Sequence, residues 1–164
     1  VGMGVCLLSP GGRLPASHHK DPHSTRKGKT MTTSEDTGKL ILRVSLGVMI
    51  LLHGLAKVMG GVDGIVSTVA KTGLPGAFGY LVYVGEVLAP LLLIVGLWTR
   101  VAALVVAINM VVAVVLVHMG EVFTLNKQGG WTLELQGMFL FTAIAVALLG
   151  AGRFSVGGAR GRFN

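Results

Sequence analysis

The stretch FGYLVYVGEVLAPLLLIVGLWTRVAALVVAINMVVAVVLVHM, residues 78–119, carries formal charge only at Glu86 and Arg100. Two apolar runs flank the short polar step Thr99-Arg100. A helix crossing ~30 Å of hydrocarbon takes about 20 mostly apolar residues. The stretch therefore reads as two membrane helices, 78–97 and 101–119, joined as an antiparallel hairpin. Working outward adds a helix at 40–59, the least apolar of the set, and one at 132–150. The expected fold is all-α: an integral membrane four-helix bundle, antiparallel, over residues 39–152.

The segments around this domain read differently. Between the first two spans, Val62, Ile65, Val66 and Val69 recur at helical spacing, which predicts a short amphipathic helix on the membrane surface. Gly73-Leu74-Pro75-Gly76 ends it. Residues 1–38 are rich in Gly, Pro, Ser, Thr, His and Lys, with one apolar patch, Val5–Leu8, too short for a signal-peptide core. Such a segment buries too little apolar surface to offset its conformational entropy, so a disordered basic tail is expected. Met31 is the expected native start, residues 1–30 being an upstream gene-model extension. Residues 153–164 are expected to form a basic C-terminal tail.

Composition agrees with a lipid-facing chain. Of 164 residues, 52% are hydrophobic and only 13% charged, against roughly a quarter charged in soluble domains. Mean hydropathy is +0.73. The net charge of +7 sits in the tails and short flanks rather than on a basic face with interleaved aromatics, which excludes a nucleic-acid partner. Arg26, Lys27, Lys29, Lys39 and Arg43, then Arg100, then Arg153, Arg160 and Arg162 mark one side; only Lys71 and Lys127 lie in loops of the other. The excess of Lys and Arg puts both termini in the cytoplasm. Cys6 is the only cysteine, so an intrachain disulfide, a CxxC pair and a cysteine-ligated metal or cluster are excluded. Small residues at four-residue spacing, Gly85/Ala89, Ala103/Ala107 and Ala143/Ala147, mark packing seams, because close backbone approach holds helices together in lipid.

Ionisable groups at membrane depth are costly and mark candidate sites. Here the ionisable ones are His53, Lys57, Glu86, His118 and Glu134, joined by the polar Asn109 and with Gln136 beside them, nearly all in the outer half of the bundle. His53 and Lys57 are four apart and share a face. Lys57 is the natural partner for Glu86, which sits roughly 12 Å deep, beyond easy snorkelling. Pro90, four residues on, cannot donate to the carbonyl of Glu86, so that carbonyl is freed and a kink is expected. Glu86 and His53 are the candidate catalytic residues; Lys57, His118, Glu134 and Asn109 are candidate binding residues. Lys57, His118 and Glu134 also suit plain snorkelling, and His53 a hydrogen-bonded interior histidine. His53 and His118 differ by about 8 Å in depth, which argues against a bis-histidine haem. No HxxxH or ExxH spacing supports a metal, and none is expected.

Several of these elements, in this order, resemble the DoxX family of bacterial membrane proteins over about residues 39–156: Arg43, His53-Gly54-Leu55-Ala56-Lys57, Gly85-Glu86, Gly96-Leu97-Trp98-Thr99-Arg100-Val101-Ala102-Ala103, His118, Glu134 and Gly150-Ala151-Gly152-Arg153-Phe154-Ser155. The family's closing motif often continues to Leu-Asp, whereas this chain has Val156-Gly157. The resemblance implies a four-helix, multi-pass protein of the bacterial plasma (inner) membrane. It further implies a subunit of a quinone-linked oxidoreductase or an anchor for redox and oxidative-stress complexes.

Three functions stay open at this point. A redox subunit would bind a quinone head group at the outer polar layer, with a protein partner or a homo-oligomer completing the complex. A structural anchor would use the layer only to fix helix register. A small proton-coupled transporter would use Glu86 as its proton site, although the chain has no internal repeat and its polar groups lie off the midplane. No nucleophile constellation, phosphate loop or nucleotide fingerprint supports independent enzyme activity.

Overall fold

The computed structural model describes residues 33–158, 161, 163 and 164. The expected disordered tail before residue 33, the start at Met31, Cys6 and the basic residues Arg160 and Arg162 lie outside the described residues.

Among the described residues five α-helices follow one another: α1 Thr33–Gly60, α2 Asp63–Lys71, α3 Ala89–Val95, α4 Thr99–Val117 and α5 Glu134–Leu149. A 3-10 turn, Gly76–Leu81, and a π-helical turn, Val84–Leu88, lead into α3, so Gly76–Val95 acts as one span. Among the described residues there is no strand, only an isolated bridge between Leu125 and Trp131. Thr33–Gly60, Gly76–Val95 and Thr99–Val117 are long and apolar enough to cross a membrane.

The boundaries differ from the sequence reading where tertiary contacts intervene. α1 begins at Thr33, seven residues before the expected Leu40 and inside the expected disordered tail. Glu35 and Asp36 in its first turn suit the helix dipole, and Asp36 is fully buried, accepting a hydrogen bond from the Arg153 amide at 3.1 Å. The hairpin link is Gly96-Leu97-Trp98, and Thr99-Arg100 forms the first turn of α4 instead. Both Gly96 (φ 77°) and Trp98 (φ 49°) are left-handed, which folds the chain back within three residues. α5 has 16 residues rather than the expected 19 of 132–150, about 24 Å, shorter than a full span. Trp131 and Thr132 are taken up by the preceding loop, where the Trp131 indole donates to the Val122 carbonyl and Thr132 N to the Thr124 carbonyl. α2 matches the expected amphipathic segment, burying Val62 and Val69, while Val66 packs on Gly76 and Gly79.

Contacts define the pairing. Asp36 meets Arg153 and His53 meets Phe139, so α1 and α5 run antiparallel; Arg43 meets Leu93 and Lys57 meets Glu86, so α1 and the Gly76–Val95 span do too. The core is built of small and medium side chains, among them Leu46, Ile50, Ala89, Leu93, Ala103, Val106 and Ala143. Large apolar side chains such as Leu52, Ile108, Phe141 and Leu148 face outward. That distribution suits a hydrocarbon solvent, in which packing rather than apolar burial holds helices together. The seam the sequence reading missed lies on α1: a Cβ on Gly47 would come 2.8 Å from Ile94, and one on Gly54 would run into the Glu86 carbonyl oxygen.

The region 153–164, expected as a basic tail, instead packs under the helices in its described part. Gly157 N donates to the Gly96 carbonyl at 3.0 Å. The Asn164 side chain accepts from Thr99 N and Thr99 Oγ1, each at 3.2 Å. Arg43, read from sequence as a flank charge, is 1% exposed. Its guanidinium donates to the carbonyls of Leu93 (2.7 Å), Ile94 (3.1 Å) and Phe154 (2.6 Å), capping the last turn of α3 and pinning the chain after α5.

Candidate functional site

Glu86 sits in the π-helical turn, four residues before Pro90. The Ala89 amide bonds to the Val84 carbonyl five residues back, the local widening expected where a proline removes a helical donor. The turn delivers the Glu86 carboxylate into the bundle, where the residue is 5% exposed. The Lys57 ammonium pairs with its Oε2, and Asn109 Nδ2 donates to its Oε1 at 3.4 Å. Three helical spans therefore meet on one carboxylate. Gly54 lets α1 approach the Glu86 backbone, and Gly85 leaves room for Asn109, whose side chain would lie 2.5 Å from a Cβ there. The Tyr83 hydroxyl donates to the Lys57 carbonyl at 3.3 Å, holding the end of α1 against the same turn.

A cavity of about 150 Å³ opens beside this pair. Its polar lining is His53, Lys57, Glu86, His118 and Gln136; its apolar walls are Ile50, Met110, Ala113, Leu135 and Phe139. The His53 ring meets Phe139 edge-on at 5.8 Å. His118 Nδ1 lies 2.9 Å from Glu121 Oε2, and Glu121 is exposed.

Of the six residues singled out from sequence, His53, Lys57, Glu86 and His118 line this cavity. Asn109 reaches it only through Glu86. Glu134 is exposed at the start of α5 and is not among the lining residues, because its side chain packs over Gly130 in the loop. Sequence reasoning missed the apolar walls, Tyr83 and Glu121. Phe139 and Met110 look like any other core residue, whereas Glu121 carried a usable signal as a carboxylate three residues after His118. Among the described residues no three His, Cys, Asp or Glu side chains gather as a metal site would require.

An all-helical bundle with an apolar exterior and a partly buried ion pair defines the class: a multi-pass membrane protein associated with the lipid bilayer. A family profile narrows this further. The DoxX profile matches residues 38–119, half of the chain, and this chain belongs to the DoxX family. It is also similar to the Bacillus subtilis (strain 168) protein named "Putative oxidoreductase CatD", with 30% identity over 121 residues, 74% of this chain and 85% of that one. No solved structure matches it.

Proposed function

We propose that this chain is a membrane subunit of a quinone-linked redox complex and that its cavity holds the quinone head group. The observation that carries the reading is the pair of half-buried Lys57 with buried Glu86, bordering a cavity of about 150 Å³. That volume suits one benzene-sized ring and little more. The ring's two oxygens would find donors in Lys57, His53, His118 and Gln136. Glu86 and His53 are groups able to take or return protons at those oxygens as the ring changes redox state. Electrons pass to or from a protein partner. The name of the Bacillus subtilis relative, "Putative oxidoreductase CatD", supports a redox role. The Lys and Arg distribution supports the bacterial inner membrane with both termini cytoplasmic, which puts the cavity in the outer half.

The test is Glu86→Gln in the native complex. Quinone-dependent turnover is expected to fall by about 100-fold or more, the scale of losing one acid–base group, while the bundle stays folded. One observation favours a second reading, a non-catalytic anchor: both Glu86 carboxylate oxygens already have partners inside the bundle. Unchanged turnover with an intact bundle establishes the anchor and removes the quinone site.

A further inference from the structure

Helix contacts close several sides of the cavity. Toward the Gly76–Val95 span, Gly47 and Gly54 bring α1 into backbone contact, and the Lys57–Glu86 pair bridges the two. Between that span and α4, Asn109 fills the space above Gly85. α4 and α5 pack most extensively of all helix pairs. What remains is the seam between α1 and α5. Of the cavity's lining side chains only His53 and Leu135 are exposed, one from each of these two helices.

Because α1 and α5 run antiparallel, one turn from each residue leads toward the middle of the bundle. There stand Met49 and Met138, both exposed. An apolar track thus continues from the seam into the hydrocarbon region. By contrast, His118 and Glu121 at the end of α4 offer a polar pair rather than an apolar track. The His53 and Phe139 rings meet edge-on across this seam, their centroids 5.8 Å apart. No hydrogen bond among the described residues holds His53, so its ring turns aside without stranding a partner.

We infer that the α1–α5 seam at His53 and Leu135 is a lateral opening to the bilayer, admitting a ring-headed ligand whose apolar tail stays outside along Met49 and Met138. The inference rests on the quinone reading above and adds the route and the tail requirement. A single ring fills a cavity of this size, so an isoprenoid or alkyl tail has to leave it. Leaving into lipid keeps the tail out of water.

The experiment uses the full chain in lipid nanodiscs with Trp98→Phe, which leaves Trp131 as the only tryptophan, packed over Gly137 near the cavity. The probe is a decyl-tailed benzoquinone with a diazirine midway along its tail. Saturable quenching of Trp131 reads head-group binding; irradiation followed by peptide mass spectrometry locates the tail. The expected result is saturable quenching, with adducts on 45–56 and 135–142 that excess unlabelled decyl-benzoquinone displaces. Saturable quenching with displaceable adducts on 87–95 or 104–115 instead overturns the opening and leaves the head-group site standing. Absence of saturable quenching overturns the quinone reading, and the opening with it.

Discussion

At one end of the bundle Arg43 is enclosed by the carbonyls of Leu93, Ile94 and Phe154; at the other, Glu86 is enclosed by Lys57 and Asn109 beside an open cavity. Both are charged groups buried in a membrane bundle, yet the surroundings differ in kind. Arg43 is met by backbone oxygens from α3 and from the segment after α5, and Thr99, Arg100 and Asn164 bond the same region together. Backbone partners cannot leave, so this end works as a clasp. Glu86 is met by side chains, which can move or exchange protons, and it keeps room for a ligand. The Glu86 end thus combines polar groups held by replaceable partners with adjacent space, which the Arg43 end lacks.

The sharpest break of the comparison is Arg43→Ala. Hydrogen bonds to a charged group contribute about 1.5–3 kcal/mol each, and three carbonyls would lose their donor. A loss of about 3–5 kcal/mol is expected in detergent unfolding, the scale of breaking a buried charged network. A loss under about 1 kcal/mol would show that the clasp is held elsewhere. Next comes Gly54→Ala, whose added methyl runs into the Glu86 carbonyl. About 1–3 kcal/mol of overpacking is expected, along with weaker quinone quenching of Trp131 because the Lys57–Glu86 geometry shifts. Asn164→Ala removes the acceptor for Thr99 and should cost about 1 kcal/mol with quinone binding untouched, since it acts only at the clasp. The smallest effect belongs to Glu134→Gln. An exposed residue outside the cavity lining should change stability by less than about 0.5 kcal/mol and leave Trp131 quenching unchanged; a clear loss of binding would add Glu134 to the site beside Leu135 and Gln136.

Much of the outer end could be read in one dimension. His53 and Lys57 share a helix face by their spacing, Glu86 is too deep for comfort, and Pro90 announces the irregular turn that delivers it. The inner end could not be read this way. Arg43 looked like one more flank charge and Asn164 like part of a loose tail, because the carbonyls that hold Arg43 and the Thr99 groups that hold Asn164 lie 50 or more residues away and are mostly backbone atoms, which carry no residue signature. Gly47 and Gly54 were passed over for a similar reason: a glycine at a contact looks in sequence like a glycine anywhere.

The sequence by itself determined that this is a membrane protein built of apolar helices, because hydropathy and helical rise are local properties of the chain. It also determined which charged groups had to find partners at depth, because an isolated charge in hydrocarbon is prohibitively costly. Only the tertiary structure decided where the cavity lies, which seam exposes it, and that the end bearing Arg43 is locked. Those features depend on how closely backbones approach one another, and that distance is set by packing across the whole bundle.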